Sequence, residues 1–348
     1  MPSKNNPEHP TLSKSLPPLP NFWLPTFIRN QFLTTIPLPT YPQIQSKTAI
    51  ITGSNTGLGF EASRQLISIG LSHLIMGVRN LEKGKEAAKK LEQEGKGAKI
   101  DVWELDMCEY DSIRAFAKKC ETLESVDFVI LNAGLSPSKF ETVKETGHEL
   151  AVQVNHFSTA LLTLLLIPIL KTKSPNSHIS IVNSLTAHLC TFPNHKQNPL
   201  LPSFDDPTNF ISPSERYGVS KLLNQLFIVR LSEKVSADDV VINMVDPGLT
   251  SGTNLGGHHD AKGLGGMIVR MILKMVGRRV EEGAATYADA VFGHGKESHG
   301  CFLMSCEIAP LAGWYYTHGD VLVDQVWNET LQELHAAGFE DEISALVT

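Results

Sequence analysis

From Lys47 onward the chain alternates short runs of β-branched and other apolar residues with longer stretches patterned as helices, and this rhythm constrains the fold more than any other feature. Parallel neighbouring strands cannot be joined by a tight turn. They need a crossover, usually a helix, so the alternation implies repeated strand-helix-strand units around a parallel sheet. Strands are expected at 48–51, 74–78, 99–105, 128–131, 179–182 and 240–245. Helices are expected at 59–69, 81–93, 111–123, 147–170, 216–232 and 281–292, with a further amphipathic stretch at 267–276. The pattern predicts an α/β fold: a doubly wound parallel sheet with helices on both faces, in one domain spanning 45–348.

Residues 1–44 do not share the rhythm. Pro17, Pro18, Pro20, Pro37, Pro39 and Pro42 remove backbone donors and block regular helix, so the segment reads as a proline-rich arm. Phe22, Trp23, Leu24, Phe27, Ile28, Phe32 and Leu33 cluster around Arg29. An arm packed on protein is the favoured reading, with peripheral membrane contact through 21–33 as its rival. The apolar run 160–170 is about half the roughly 20 residues that span a bilayer and contains Thr163 and Pro168, so it reads as a buried or interface helix.

Acidic residues number 37 against 30 basic ones, which leaves no basic field for nucleic acid and favours a small organic ligand. The five cysteines are odd in number and form no Cys-x-x-Cys pair, arguing against a disulfide framework and a zinc site. With a start that is polar and proline-rich, they suggest an intracellular, cytoplasmic setting. His156, His188 and His195 lack ligand spacing and read as ordinary exposed histidines; no metal is expected.

The turn Thr52-Gly53-Ser54-Asn55-Thr56-Gly57-Leu58-Gly59 follows the first strand and opens a helix. Glycines there let the backbone approach a pyrophosphate, and the free amides and dipole of the helix start attract its charge. Gly53, Ser54, Asn55, Gly57, Leu58 and Gly59 are therefore expected to hold a dinucleotide. The second strand ends Gly77-Val78-Arg79-Asn80. Arg79 can pair with a 2′-phosphate and no acid sits at that turn to repel one, so NADP(H) is favoured over NAD(H).

Tyr217 and Lys221 are four residues apart and so share a helix face. The ammonium is expected to lower the phenol's pKa from about 10 toward neutrality, making Tyr217 a general acid or base. Ser184 follows the strand 179–182 at its carboxyl end, where ligands bind in such sheets, and its hydroxyl can hold a substrate oxygen.

In this order the glycine turn, Ser184 and Tyr217-Gly218-Val219-Ser220-Lys221 resemble the short-chain dehydrogenase/reductase family. The long spacing between Ser184 and Tyr217, and Arg216-Tyr217 followed by Ser220-Lys221-Leu222-Leu223, are similar to its retinol-dehydrogenase-like and WW-domain-oxidoreductase-like branch. The resemblance implies a Rossmann-type fold and catalysis by Tyr217, Lys221, Ser184 and Asn155, with Asn155 keeping a water in line with the lysine. It also implies that Asn132, in Leu131-Asn132-Ala133-Gly134, steadies the sheet beside the cofactor and that Asp106 contacts the adenine. Pro247-Gly248 match a further cofactor motif, but the hydroxyl expected after it falls on Gly252, flanked by Ser251 and Thr253.

The implied activity is hydride transfer between NADP(H) and a carbonyl or alcohol carbon. Loops 189–213 and 251–276 are expected to shape the substrate site. Leu200, Leu201, Phe204, Phe210, Leu255, Leu264, Met267, Ile268 and Met271 make them apolar, which suits a lipid, retinoid-like molecule, terpenoid or polyketide, as in fungal secondary-metabolism reductases. The rival readings are a non-catalytic nucleotide-binding regulator and an epimerase or dehydratase with tightly held NAD. Helices 147–170 and 216–232 could form a homodimer face, or equally a monomer core.

Overall fold

The computed structural model describes residues 12–20, 24–40, 44–94, 97–251 and 276–347. Most of the second expected substrate loop, with Gly252, Thr253, Leu255, Leu264, Met267, Ile268 and Met271, lies outside them, as do Phe22 and Trp23 of the arm.

Eight strands form one sheet in the order β3-β2-β1-β4-β5-β6-β7-β8. They are β1 (Thr48–Thr52), β2 (His73–Val78), β3 (Lys99–Glu104), β4 (Phe128–Leu131), β5 (Ser177–Val182), β6 (Val240–Asp246), β7 (Phe302–Met304) and β8 (Glu307–Ala309). Neighbours from β3 to β7 are parallel and the last pair is antiparallel. The chain order reverses between β1 and β4, a topological switch point of the kind at which open α/β sheets bind ligands. All five residues of β1, Thr-Ala-Ile-Ile-Thr, are buried, as expected of a strand covered on both faces.

The period-2 pleat sorts β1 between two cores: Ile50 joins one cluster, Ala49 and Ile51 the other. Along the chain the helices are α1 (Leu12–Ser15), α2 (Leu24–Ile28), α3 (Gly57–Ser68), α4 (Leu81–Glu94), α5 (Tyr110–Cys120), α6 (Leu150–Val152), α7 (Thr159–Lys173), α8 (Thr186–Leu189), α9 (Pro213–Lys234), α10 (Val280–Phe292), α11 (Gly313–Ala336) and α12 (Glu340–Val347). α3, α4 and α10 cover one face through Leu66, Leu91 and Ala284. α5, α7 and α9 cover the other through Phe116, Leu164 and Phe227. A π-helical turn, Gln153–Ser158, joins α6 to α7.

Two expectations need correction. The long helix begins at Leu150 and not at 147, because Gly147 has φ +78° and closes a turn. The arm is not devoid of helix: Pro25 lies in the first turn of α2, where a missing amide costs nothing, and α2 runs into a π turn, Arg29–Leu33. Buried Ser13 of α1 donates to Ala309 O at 2.6 Å and accepts from Phe302 N at 3.0 Å, tying the arm to the sheet edge. On the other face, α11 packs on α9 and α12 on α7, supplying Trp327, Leu334 and Ile343 to the same core.

The segment Leu150–Lys173 is long and apolar enough to cross a membrane, but 89% of its most apolar window is buried inside this fold. All five cysteines are free thiols.

Residues 190–212 connect α8 to α9 and contain two 3-10 turns, Leu201–Asp205 and Pro207–Asn209. His148 latches this insert to α11, its Nδ1 lying 2.9 Å from Asp205 Oδ2 and its Nε2 3.1 Å from Glu333 Oε1. Burial opposes protonation of the ring, but the two carboxylates more than offset it and raise its pKa from 6.5 to about 9. A folded-state pKa above the unfolded value means the stabilisation is complete below about 6.5 and disappears as pH climbs through 9. Melting curves across this window should show the parent losing about 1–2 kcal/mol more than His148→Gln, a few degrees of Tm. Identical pH slopes would remove the latch.

Candidate active site

The turn after β1 is built for close backbone approach. Gly53 and Gly57 have φ of +64° and +58°, a region that L side chains rarely adopt. A Cβ on Gly59 would lie 2.6 Å from both Gly53 O and Asn132 Nδ2, whereas one on Gly57 would meet nothing. The open space therefore lies over Gly57. Thr56, the N-cap of α3, makes no side-chain cap hydrogen bond, so the first-turn amides remain available. This cradle fits a pyrophosphate.

Asn132, at the end of β4, closes the cradle from below. Its Nδ2 donates to Thr52 O at 2.9 Å and Gly53 O at 3.2 Å, while its Oδ1 accepts from the fully buried Tyr287 phenol at 3.0 Å. Arg79 stands exposed just beyond β2, and among the described residues no carboxylate forms an ion pair with it. Asp106 lies beyond β3, its Oδ1 accepting from Cys108 N at 2.9 Å. Both residues are thus at the carboxyl edge of the sheet, on the side of β1 away from β4.

On the other side, Ser184 and the first turns of α9 converge beyond β5. Tyr217 is half-buried, and the nearby Ser184 side chain favours ionisation of its phenol. Lys221 is 5% exposed; its Nζ donates to Val182 O at 2.8 Å and lies 5.8 Å from the centroid of the Tyr217 ring. A Cβ on Gly134 would sit 3.4 Å from that Nζ and 3.1 Å from Asn155 Oδ1, so all three are neighbours. The π turn carrying Asn155 is a device often found at functional sites. The Asn155 amide is largely committed to protein: Oδ1 accepts from Leu135 N at 2.9 Å, and Nδ2 donates to Leu135 O at 2.8 Å and Ser220 Oγ at 2.9 Å.

The electrostatics differ from expectation. Burial, then the nearby Asp246 carboxylate, push the Tyr217 phenol well above its ordinary value near 10, and the neighbouring Ser184 side chain offsets only part of this. Lys221 has not lowered it, because its Nζ is directed at Val182 O. Burial instead lowers Lys221 itself to about 8. Asp246, whose Oδ1 accepts from Leu185 N at 3.0 Å, is held above the usual carboxylate range by burial.

A family model described as short chain dehydrogenase matches residues 47–193. The short chain dehydrogenase/reductase mfmJ of Annulohypoxylon moriforme is 44% identical over 344 residues, covering 96% of this chain and 98% of its own. The short chain dehydrogenase virL of Hypocrea virens is 42% identical over 319 residues, 90% of this chain and 92% of its own. The chain belongs to the short-chain dehydrogenase family. Among solved structures, L-sorbose reductase from Gluconobacter frateurii, complexed with NADPH and L-sorbose, superposes with a TM-score of 0.59 at 19% identity over 75% of this chain and 96% of that one. At that identity the likeness concerns the fold.

For this dehydrogenase the structure brings Ser184, Tyr217, Lys221 and Asn155 to one edge and the glycine turn, Asn132, Arg79 and Asp106 to the same edge of the sheet. Pro247-Gly248 lie there too, beyond β6. Of the candidate hydroxyls after them, Ser251 Oγ donates to Arg278 O at 3.0 Å, and Gly252 and Thr253 are outside the described residues. His156 proves fully buried, with Nε2 2.8 Å from Thr330 Oγ1, and His188 Nε2 contacts Pro310 O at 3.0 Å. Neither belongs to a metal-ligand cluster among the described residues.

Sequence reasoning missed three contributors. Tyr287 orients Asn132; its only signal was an apolar position in the helix expected at 281–292. Gln31 of the arm donates to Leu249 O at 2.7 Å and Val276 O at 3.0 Å. Buried Arg278 donates to Ser305 Oγ at 2.7 Å and to Asn30 O, and a Cβ on Gly248 would lie 2.7 Å from its Nη1. Nothing in the local sequence of either residue advertised that contact.

The two glycines of the cradle should respond differently to a methyl group. Gly59→Ala meets backbone and should cost about 1–3 kcal/mol by overpacking. Gly57→Ala meets only backbone strain, about 1–2 kcal/mol, and its methyl should project into the open groove. Thermal melts with nucleotide titrations should show Gly57→Ala folded but poor at binding; normal binding by that variant would misplace the cradle.

Proposed function

We propose that the protein reduces a carbonyl group on a hydrophobic small molecule with NADPH, the reverse reaction oxidising an alcohol with NADP+. The observation that carries this reading is the convergence of Ser184, Tyr217 and buried Lys221, its Nζ 5.8 Å from the Tyr217 ring centroid, on the same sheet edge as the glycine cradle. Gly53 to Gly59 would hold the pyrophosphate, Asn132 and Pro247-Gly248 would border the nicotinamide half, and Asp106 and Arg79 the adenosine half. The bound cofactor supplies a hydride to the carbonyl carbon.

The residues manage the oxygen. Ser184 and Tyr217 would both donate hydrogen bonds to it as negative charge develops, the arrangement that stabilises such a transition state most. Tyr217, held protonated by burial and Asp246, is poised to release its proton there. Lys221 would then face a phenolate, and its ammonium favours that charge. Asn155 fixes the Gly134-Leu135 backbone against Ser220, keeping the lysine's neighbourhood in register.

An apolar substrate is supported by large hydrophobic residues left open at this edge: Leu189 after β5, Leu249 after β6 and Ile211 ahead of α9 are 37%, 37% and 62% exposed. A terpenoid, polyketide or retinoid-like ketone of secondary metabolism matches that character. The NADPH complex of L-sorbose reductase supports the cofactor choice, together with the exposed guanidinium of Arg79.

Tyr217→Phe should cut turnover by on the order of 10²–10⁴-fold while NADPH fluorescence titration returns a nearly unchanged affinity; full activity would end the assignment. Arg79→Ala should weaken NADPH roughly 10–100-fold, the loss of one or two charge-assisted hydrogen bonds, and leave NADH unaffected. Equal losses for both nucleotides would mean that Arg79 does not read the phosphate.

A further inference from the structure

The two residues immediately ahead of Tyr217 both reach away from the catalytic edge into the 190–212 insert. The Glu215 carboxylate accepts from Thr191 N and Phe192 N, each at 2.8 Å, at the start of the insert. Arg216, 3% exposed, donates to Phe204 O at 2.8 Å and Asn209 O at 2.9 Å near its end. The guanidinium lies 4.8 Å from the Phe204 ring centroid and 5.4 Å from that of Phe210, with the fully buried Glu149 carboxylate 3.6 Å away. On the other side of Tyr217, a Cβ on Gly218 would press on Thr186 O at 2.8 Å and Cys190 Cβ at 3.1 Å.

A planar guanidinium can serve two carbonyls and two ring faces together in a way that an ammonium cannot. A carboxylate accepting two consecutive amides likewise fixes a chain direction. Both devices sit on the helical turn that holds Tyr217, so the insert cannot shift without pulling on that turn. Glu149 extends the attachment: its backbone N donates to Asp205 Oδ1 at 2.7 Å and its side chain caps α6, which leads into the π turn of Asn155.

We infer that Glu215 and Arg216 are positioning residues that clamp the insert to the first turn of α9, making it a fixed wall beside Tyr217 that selects carbonyl substrates by size. This rests on the reductase reading above. It adds that the specificity of the wall is set by residues which need not touch the substrate.

The test compares Glu215→Ala, Glu215→Gln and Arg216→Lys in the full chain. Glutamine keeps an acceptor oxygen for the two amides and serves as the conservative rescue, and Glu215 is only partly buried, so its loss should leave the protein folded. Two probes are reduced with NADPH, bulky 9,10-phenanthrenequinone and small 2,3-butanedione. The ratio of their kcat/KM values should change at least fivefold in Glu215→Ala and Arg216→Lys and return to within twofold of the parent in Glu215→Gln. A uniform loss of activity on both probes, with the ratio unchanged, overturns the inference.

Hydrogen exchange at the amides of Thr191 and Phe192 supplies a readout independent of turnover, and should accelerate at least tenfold in Glu215→Ala only. Unaltered exchange there also overturns it. A parent that binds NADPH yet reduces neither probe would count against the reductase reading, while the exchange result would still decide the clamp.

Discussion

A buried ammonium organises the catalytic edge. Moving a lysine into the interior is costly unless its donors find acceptors, and Lys221 finds one in Val182 O, the last carbonyl of β5. The next residue answers: Asn183 Nδ2 donates to Lys221 O at 3.1 Å. Two reciprocal hydrogen bonds thus staple one turn of α9 to one strand end. With that staple in place, Tyr217 lies one turn before Lys221 and Ser184 two residues beyond Val182, and their side chains meet without further adjustment. Amphipathic packing alone does not pick out this register, since α9 is buried along most of its length.

A second chain of polar contacts connects this edge to the cradle. Thr52 Oγ1 accepts from Ala133 N at 2.9 Å, Asn132 holds the carbonyls of Thr52 and Gly53, and two residues later Leu135 exchanges both backbone groups with Asn155. Asn155 donates in turn to Ser220, whose hydroxyl donates to Tyr217 O at 2.8 Å. Each link is short and buried or nearly so, where an unmade hydrogen bond costs more than the net worth of a made one. The distance between the phosphate cradle and the phenol is therefore a property of the backbone and not of mobile side chains. Small residues matter here for the same reason: Gly53, Gly59 and Gly134 are where any side chain would force these strands and turns apart.

Much of this was legible because it is local. The central strands obey period 2 or read as short apolar runs, and the glycine turn and Tyr-x-x-x-Lys carry their geometry in their spacing. β4 was expected at 128–131 and is found at Phe128–Leu131. What escaped is non-local. β7 and β8 have three residues each, too short for any periodicity, and depend on Ser305 and Cys306 adopting φ of 55° and 65° in the hairpin turn. α11 was hidden by its own irregularity, since Gly319 breaks it with φ 55°. Arg278 reaches Asn30 across 248 positions and Gln31 reaches Leu249 across 218, and no spacing rule extends that far. The covered faces of α7 and α9 belong to the same class: apolar helices announce burial, but not whether the same chain or a second copy supplies the cover.

The phenol's acidity shows why residue type and spacing alone mislead about chemistry. A lysine four residues on suggests a lowered pKa, yet the sign at Tyr217 is set by what surrounds the oxygen. Burial penalises the phenolate, and Asp246, itself buried, adds negative potential. Lys221 does not offset them: its Nζ donates to the Val182 carbonyl, and burial lowers its own pKa to about 8. A protonated phenol is the form a general acid needs, and burial and Asp246 both favour that form. Running in reverse as a base would require positive charge close to the phenol to overcome burial and Asp246 together. Asp246 acts on the phenol through its charge: its Oδ1 accepts from Leu185 N, and its carboxylate raises the proton affinity of Tyr217 from nearby.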